Sequence, residues 1–152
     1  MNLESEGLQL FAANLYPPCP QPEFAMGLPH HSDLGLLTLV IHNGIDGLQI
    51  QHNGNWFNVN TIPNSILYNI GDHLEQWEVQ KCCTSNSSEQ EKDKDICGAN
   101  GPALETIVSP APKLVDNETH LPVYIGIECK NYFHFQQGNQ LYAKSCLERL
   151  SI

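Results

Sequence analysis

Residues 28–41 read Leu-Pro-His-His-Ser-Asp-Leu-Gly-Leu-Leu-Thr-Leu-Val-Ile, a polar segment that runs directly into an apolar, branched one. His31 and Asp33 lie two positions apart, so on an extended segment both side chains project to the same side and could share a cation. Nitrogen and hard oxygen ligands suit a divalent first-row metal, and two histidines with one carboxylate leave open positions on Fe(II). His31 and Asp33 are therefore half of a candidate metal site. The alternative is a His-x-Asp pair without metal, which is common in loops.

Turn signals and short branched segments follow this stretch. Asn43-Gly44, Asp46-Gly47 and Asn53-Gly54 supply residues that tight hairpins require. The patterns of branched and aromatic residues predict strands at residues 8–16, 36–42, 47–52, 56–60 and 65–70. Short strands at this regular spacing are typical of an antiparallel sandwich or barrel, so we expect an all-β core. His42 and His52 flank one hairpin and could together bind zinc, but polar positions at a sheet rim are the commoner explanation.

The charge of the chain limits its partners. Its 152 residues carry a formal net charge of -10, and no Lys or Arg precedes Lys81, so we expect it to bind neither nucleic acid nor an anionic membrane. The first residues have neither the basic start nor the apolar centre of a secretory signal, and no apolar run reaches membrane-spanning length. We therefore expect a cytoplasmic protein. Its six cysteines form no Cys-x-x-Cys pair, which predicts free thiols.

Further segments surround the His-x-Asp stretch in a fixed order. They are Asn-Leu-Tyr-Pro-Pro-Cys-Pro at 14–20, Gly-Leu-Gln-Ile at 47–50, Trp-Phe-Asn-Val at 56–59 and Ser-Ile-Leu-Tyr-Asn-Ile-Gly-Asp at 65–72. In this order they closely resemble the plant Fe(II)/2-oxoglutarate-dependent dioxygenases, an isopenicillin N synthase-like family of specialised and hormone metabolism. The resemblance covers residues 8–75 and resumes from about Ala99 to the end.

The resemblance implies a double-stranded β-helix, or jelly-roll, over residues 8–116 and a C-terminal tail with a short helix over 117–152. Members of the family carry a largely helical N-terminal half that packs on the jelly-roll, whereas this chain begins just before Asn14. We therefore expect an incomplete domain that exposes apolar faces.

The resemblance also implies an oxidoreductase that hydroxylates or desaturates a small organic metabolite while 2-oxoglutarate is decarboxylated to succinate. Fe(II), 2-oxoglutarate and dioxygen take part, with ascorbate as reductant, and the enzyme is expected to be a monomer. His31 and Asp33 then bind the metal. Asn14 and Tyr16 face the active site, and Tyr16 contacts the co-substrate. From the residues alone, Tyr16 reads instead as a buried aromatic side chain at a strand end.

Residues 76–98 depart from the family's pattern. The family takes its third metal ligand from a segment of the form Asn-Gly-x-x-x-Ser-x-x-His-Arg, and anchors 2-oxoglutarate with an Arg-x-Ser motif. Neither motif is present, and Arg149 is the only arginine of the chain. His73 is not a ligand position in the family. The stretch is polar and shows no two-residue alternation, so it predicts a loop or disorder.

A shift of reading frame would explain this interval. One consistent choice of codons for Glu75 to Gly98, read one nucleotide later, gives Ser-Asn-Gly-Lys-Tyr-Lys-Ser-Val-Val-His-Arg-Thr-Val-Val-Asn-Lys-Lys-Lys-Thr-Arg-Ile-Ser-Val. The recovered histidine codon straddles Thr84 and Ser85, and Arg-Ile-Ser straddles Lys94 to Cys97. The cause would be a gene-model error, a splice variant or a real lesion. As written, the chain is expected to bind iron weakly and turn over little; the alternative is a non-catalytic remnant or small-molecule-binding module.

Overall fold

The computed structural model describes residues 7–24, 28–45, 47–78, 84–87, 94–115, 119–138 and 146–152. The strands in these residues are β1 (Leu8–Leu15), β2 (Leu37–His42), β3 (Leu48–His52), β4 (Asn55–Asn58), β5 (Leu67–Ile70), β6 (Thr84–Ser87), β7 (Lys94–Gly101), β8 (Ile107–Val108) and β9 (Ile127–Glu128). The α-helices are α1 (Asp72–Glu78) and α2 (Cys129–Gly138), and 3₁₀ helices cover Pro22–Phe24 and Cys146–Leu150. Within the described residues, no helix is long and apolar enough to span a membrane.

The strands form antiparallel sheets, as predicted. One sheet has the order β1-β7-β2-β5, a second has the order β4-β3-β6, and β8 pairs with β9. Every named pairing is antiparallel. The five strands predicted from turn signals and branched residues are confirmed, with ends that shift by at most two residues. Alternation and turn chemistry therefore locate five of the nine strands in the described residues.

The loop predicted for residues 76–98 is wrong at three places. Residues 76–78 end α1, residues 84–87 form β6, and residues 94–98 belong to β7, while 79–83 and 88–93 lie outside the described residues. The physical reason is main-chain pairing. Strand β7 lies between β1 and β2, and β6 pairs with β3, so backbone N–H and C=O groups form ladders whatever the side chains are. Whether this interval is aberrant stays a prediction.

A cluster of buried side chains joins the sheet region to the end of the chain. It consists of Leu34, Tyr124, Tyr132, Cys146, Leu147 and Leu150. All members except Leu34 come from residues beyond 116, and Leu34 directly follows the candidate ligand Asp33. The expected C-terminal helix is confirmed as α2. The boundary at residue 116 stays a prediction, since residues on both sides of it share this cluster.

One face of the four-stranded sheet is apolar and open to solvent. Leu39 lies opposite Tyr68 in the ladder, and Leu37 lies opposite Ile70, so these four side chains share one face. Phe11 belongs to the same face, because β7 aligns it with Leu39 through Gly98, and its side chain is 75% exposed. The expected exposure of apolar surface is thus confirmed.

Two glycines with positive φ provide a matched test of the packing beside β2. Gly35 has φ 86° and Gly44 has φ 92°. A Cβ on Gly35 would lie 2.5 Å from the carbonyl oxygen of Asn100, whereas a Cβ on Gly44 would meet nothing within 4 Å. Gly44→Ala should therefore cost only the left-handed strain, about 1 kcal/mol. Gly35→Ala should cost at least about 3 kcal/mol, because backbone must also move.

The measurement is urea unfolding of both variants beside the unmodified chain. Equal losses of unfolding free energy would show that the close approach of Gly35 to β7 does not constrain the fold.

Candidate metal centre

His31 and Asp33 face one another just before β2. His31 Nε2 lies 3.5 Å from Asp33 Oδ1, and the side chains are 40% and 13% exposed, so the pair is open to solvent on the histidine side. His31 Nδ1 lies 2.8 Å from the carbonyl oxygen of Pro29. Because a carbonyl only accepts, Nδ1 carries the proton in the neutral ring, and Nε2 presents its lone pair toward Asp33. A hydrogen bond from Nδ1 to a backbone carbonyl fixes the tautomer in which a histidine binds metal through Nε2.

Asp33 is oriented by the sheet. Asn69 donates through Nδ2 to Asp33 Oδ2 at 3.0 Å, which leaves Oδ1 toward His31. Asn69 is on β5 directly opposite Thr38 of β2, so the sheet itself sets the position of the donor. Burial acts to raise the pKa of Asp33, but the protonated His31 ring, which then carries a proton on Nε2, and the Asn69 amide both donate to the carboxylate and hold its pKa below the usual value. The hydrogen bond to Asp33 raises the pKa of His31.

The two side chains fit half of a metal site. An imidazole nitrogen and a carboxylate oxygen converge on one point, each held from behind by a hydrogen bond. In the part of the chain that the structure describes, no group of three or more His, Cys, Asp or Glu side chains could hold a metal ion. The recovered histidine codon falls at Thr84 and Ser85, where β6 pairs with β3. The lack of a third ligand in the chain as written stays a prediction.

The other histidines weighed from the sequence have different surroundings. His42 accepts at Nδ1 from the N–H of Gly44 and so closes a turn. His73 is fully buried on α1, its Nδ1 lies 3.9 Å from Cys129 Sγ, and its ring packs against Tyr132. His52 contacts Asn53 at the tip of the β3–β4 hairpin.

The candidate co-substrate residues Asn14 and Tyr16 are half-buried, and the exposed Leu15 lies between them. The register runs from Asn14 through β7 to His42, which places Asn14 on the sheet face that carries Asn69. The position lies about 13 Å further along the strands than Asn69, since four residues separate Thr38 from His42 on β2. The contact of Asn14 and Tyr16 with a co-substrate stays a prediction.

A polar network behind the pair was missed by the sequence analysis. Ser32 Oγ donates to Asp72 Oδ2 at 2.8 Å, and Tyr132 Oη donates to the same oxygen. Gln136 Nε2 donates to the carbonyl of Ser32 at 3.0 Å. The signal available was the polar run at the start of α1, but polar residues on a short helix ordinarily indicate a solvent-facing side.

Burial shifts the pKa values of two neighbouring side chains on α1, Asp72 and His73, and favours the neutral form of each. Desolvation raises the pKa of Asp72 to about 6, although Tyr132 and Ser32 donate to its carboxylate. Desolvation lowers the pKa of His73 to about 4. The two shifts affect stability in opposite directions, because the neutral form is the protonated one in Asp72 and the deprotonated one in His73.

Comparisons with known proteins show the family to which the chain is similar. Residues 7–87 match the family model of the 2OG-Fe(II) oxygenase superfamily. The chain is 35% identical to 2-oxoglutarate-dependent dioxygenase 19 of Oryza sativa subsp. japonica, over 97% of this chain and 45% of that protein. It is 37% identical to thebaine 6-O-demethylase of Papaver somniferum, over 75% of this chain and 33% of that protein. The crystal structure of JOX2 in complex with 2OG, Fe and JA matches with a TM-score of 0.86 and 25% identity, over 95% of this chain and 44% of that chain.

The chain therefore spans less than half the length of these proteins. The match to JOX2 covers nearly all of the chain, so the predicted double-stranded β-helix is confirmed.

The buried imidazole of His73 should make stability depend on pH. Between pH 6.5 and about 4 the unfolded state binds a proton that the folded state excludes, so acidification destabilises the protein in this window. When the pH is lowered from 7 to 5, protonation of His73 in the unfolded state should lower the free energy of unfolding of the unmodified chain. The fall should be about 2 kcal/mol smaller for His73→Gln than for the unmodified chain. The protonation of Asp72 changes stability with pH in the opposite direction. Because both proteins contain Asp72, this contribution cancels when they are compared.

Urea unfolding at both pH values measures the effect. Gln76→Leu is the control, because it alters the same buried face of α1 without a titrating group and should follow the pH dependence of the unmodified chain. Parallel pH dependence for His73→Gln would contradict the prediction.

Proposed function

Because the chain belongs to the 2OG-Fe(II) oxygenase superfamily, we propose that it is the metal-binding jelly-roll portion of a 2-oxoglutarate-dependent dioxygenase acting on a small organic metabolite. The observation that carries the proposal is the His31–Asp33 pair, whose facing atoms are 3.5 Å apart while their other polar atoms are bonded to Pro29 and Asn69. One of the relatives is named thebaine 6-O-demethylase, which agrees with a small-molecule substrate.

In this proposal His31 Nε2 and Asp33 Oδ1 hold Fe(II). When bound, the iron supplies the oxidation of the metabolite by dioxygen, coupled to decarboxylation of 2-oxoglutarate to succinate, with ascorbate as reductant. The protein's own contribution is orientation. Pro29 fixes the imidazole tautomer, Asn69 turns the carboxylate, and Tyr16 with Asn14 contacts the co-substrate.

The charge of the chain limits the partners that it can bind. A formal net charge of -10 disfavours contact with nucleic acid and with anionic membrane surfaces, because both carry negative charge. We infer a cytoplasmic monomer with a small-molecule substrate as its partner.

We also propose that the chain as written is impaired. The described residues offer no third ligand to His31 and Asp33, and a metal held by fewer bonds is bound more weakly. A dicarboxylate in a partly dry pocket needs a fork-like cation, and Arg149, the only arginine, lies in the 3₁₀ helix near the chain's end. The same observation favours the second candidate function, a non-catalytic remnant that keeps a small-molecule cleft.

A variant in which the sequence from the shifted reading frame replaces residues 75–98 tests two proposals: that the chain belongs to a dioxygenase, and that the chain as written is impaired. It should bind Fe(II) at least about 10-fold more tightly than the chain as written, because the recovered histidine completes the site. It should also decarboxylate 2-oxoglutarate, which the chain as written should do only weakly. Competition with a chromophoric chelator measures the affinity, and release of carboxyl-labelled CO2 measures turnover.

The control is the same replaced chain carrying His31→Ala, which should lose both gains. Turnover by the chain as written at the rate of the replaced chain would refute the impairment. Stabilisation of both chains by 2-oxoglutarate without any turnover would favour the binding module.

A further inference from the structure

A buried carboxylate lies directly behind the candidate metal pair. Asp72 is 2% exposed, and its Oδ2 accepts hydrogen bonds from Ser32 Oγ and from Tyr132 Oη. Ser32 is the residue between His31 and Asp33. A group on α1 is therefore bonded to the one residue whose position sets the spacing of the two ligands.

The main chain of the same segment is held at several points. The N–H of Asp72 donates to the carbonyl of Asp33 at 2.9 Å, and the N–H of His73 donates to the carbonyl of Gly35 at 2.9 Å. From the other side, Gln136 of α2 donates to the carbonyl of Ser32. The ligand segment is thus fixed between the start of α1 and the body of α2.

A buried carboxylate contributes little net stability. Removing a carboxylate from water costs several kcal/mol unless hydrogen bonds compensate, and apolar packing of similar volume often stabilises as well or better. The gain from such a group is positional, because two hydroxyl donors that share one oxygen must keep a fixed separation. The two donors here come from residues one hundred positions apart in sequence, Ser32 and Tyr132.

We propose that Asp72 and Tyr132 are positioning residues that set the separation of the His31 and Asp33 donor atoms by holding Ser32. This inference rests on the proposed function, in which the pair binds a metal. It makes metal affinity depend on α2, since Tyr132 belongs to that helix. Neither residue touches the metal in this scheme; both act through the backbone of the ligand segment.

Two tyrosines provide a matched pair of variants. Tyr132→Phe removes the hydroxyl that reaches Asp72, while Tyr124→Phe removes a hydroxyl that donates to Glu75, also on α1, at 3.1 Å. Both rings are buried in the same cluster and both variants keep the ring, so the two changes leave the apolar packing alike. Only the hydroxyl of Tyr132 is linked to Ser32 through Asp72.

Cobalt affinity is the first readout, measured with Co²⁺ alone by its visible absorption. Tyr132→Phe should bind Co²⁺ about 10-fold more weakly than the unmodified chain, and Tyr124→Phe should bind as the unmodified chain does. Asp72→Asn keeps an acceptor oxygen for the hydroxyls and should retain more affinity than Asp72→Ala. Equal Co²⁺ affinities for the two tyrosine variants would overturn the proposal.

Hydrogen exchange in the metal-free chain is the second readout. The amides of Asp72 and His73 should exchange about 10-fold faster in Tyr132→Phe than in Tyr124→Phe, because they donate to the ligand segment. His31→Ala separates the two proposals: unchanged Co²⁺ binding in that variant overturns the proposed function. The exchange rates then decide the positioning role, and equal rates in the two tyrosine variants overturn it.

Discussion

The contact between the start of α1 and the segment before β2 is the constraint on which the candidate site depends. Three successive N–H groups, those of Gly71, Asp72 and His73, donate to carbonyls of residues 33–36. The approach is so close that a Cβ on Gly71 would overlap the carbonyl oxygen of Gly35. Because these bonds are formed by backbone, they fix the path of the ligand segment before any side chain is considered. The path of the backbone in turn sets the directions in which the His31 and Asp33 side chains point.

Packing carries the same constraint to the end of the chain. Leu34, which separates Asp33 from Gly35, is the one member of the main buried cluster that comes from the strand region. The other members of this cluster include Tyr132 of α2 and Leu150 of the last 3₁₀ helix. Leu34 on the apolar side of this segment packs in a cluster of C-terminal residues, and Ser32 on its polar side is hydrogen-bonded to Gln136 and, through Asp72, to Tyr132. The stability of the fold and the positions of the candidate ligands therefore depend on the same neighbouring residues.

The residue pattern was sufficient to predict strands β1 to β5 and the facing pair of His31 and Asp33. Alternation and Asn-Gly turns located β2 to β5, and the spacing of His31 and Asp33 placed both side chains on one side. It was insufficient for β6 and β7, since their pairing depends on neighbouring backbones and their local residues favour a loop. It also gave no warning of Asp72, whose partner Tyr132 lies sixty positions away and whose helix reads as polar.

The ladder around β7 has a further consequence. Its two neighbours, β1 and β2, are aligned with it residue by residue over Leu8–Leu15 and Leu37–His42, and those bonds involve only main-chain atoms. Because main-chain pairing uses no side-chain atoms, the ladder itself does not require particular side chains on β7. The sheet and the chemistry of the candidate site can therefore change independently under mutation. A catalytic activity can be lost in evolution while the sheet persists, and selection can then use the same fold for another function.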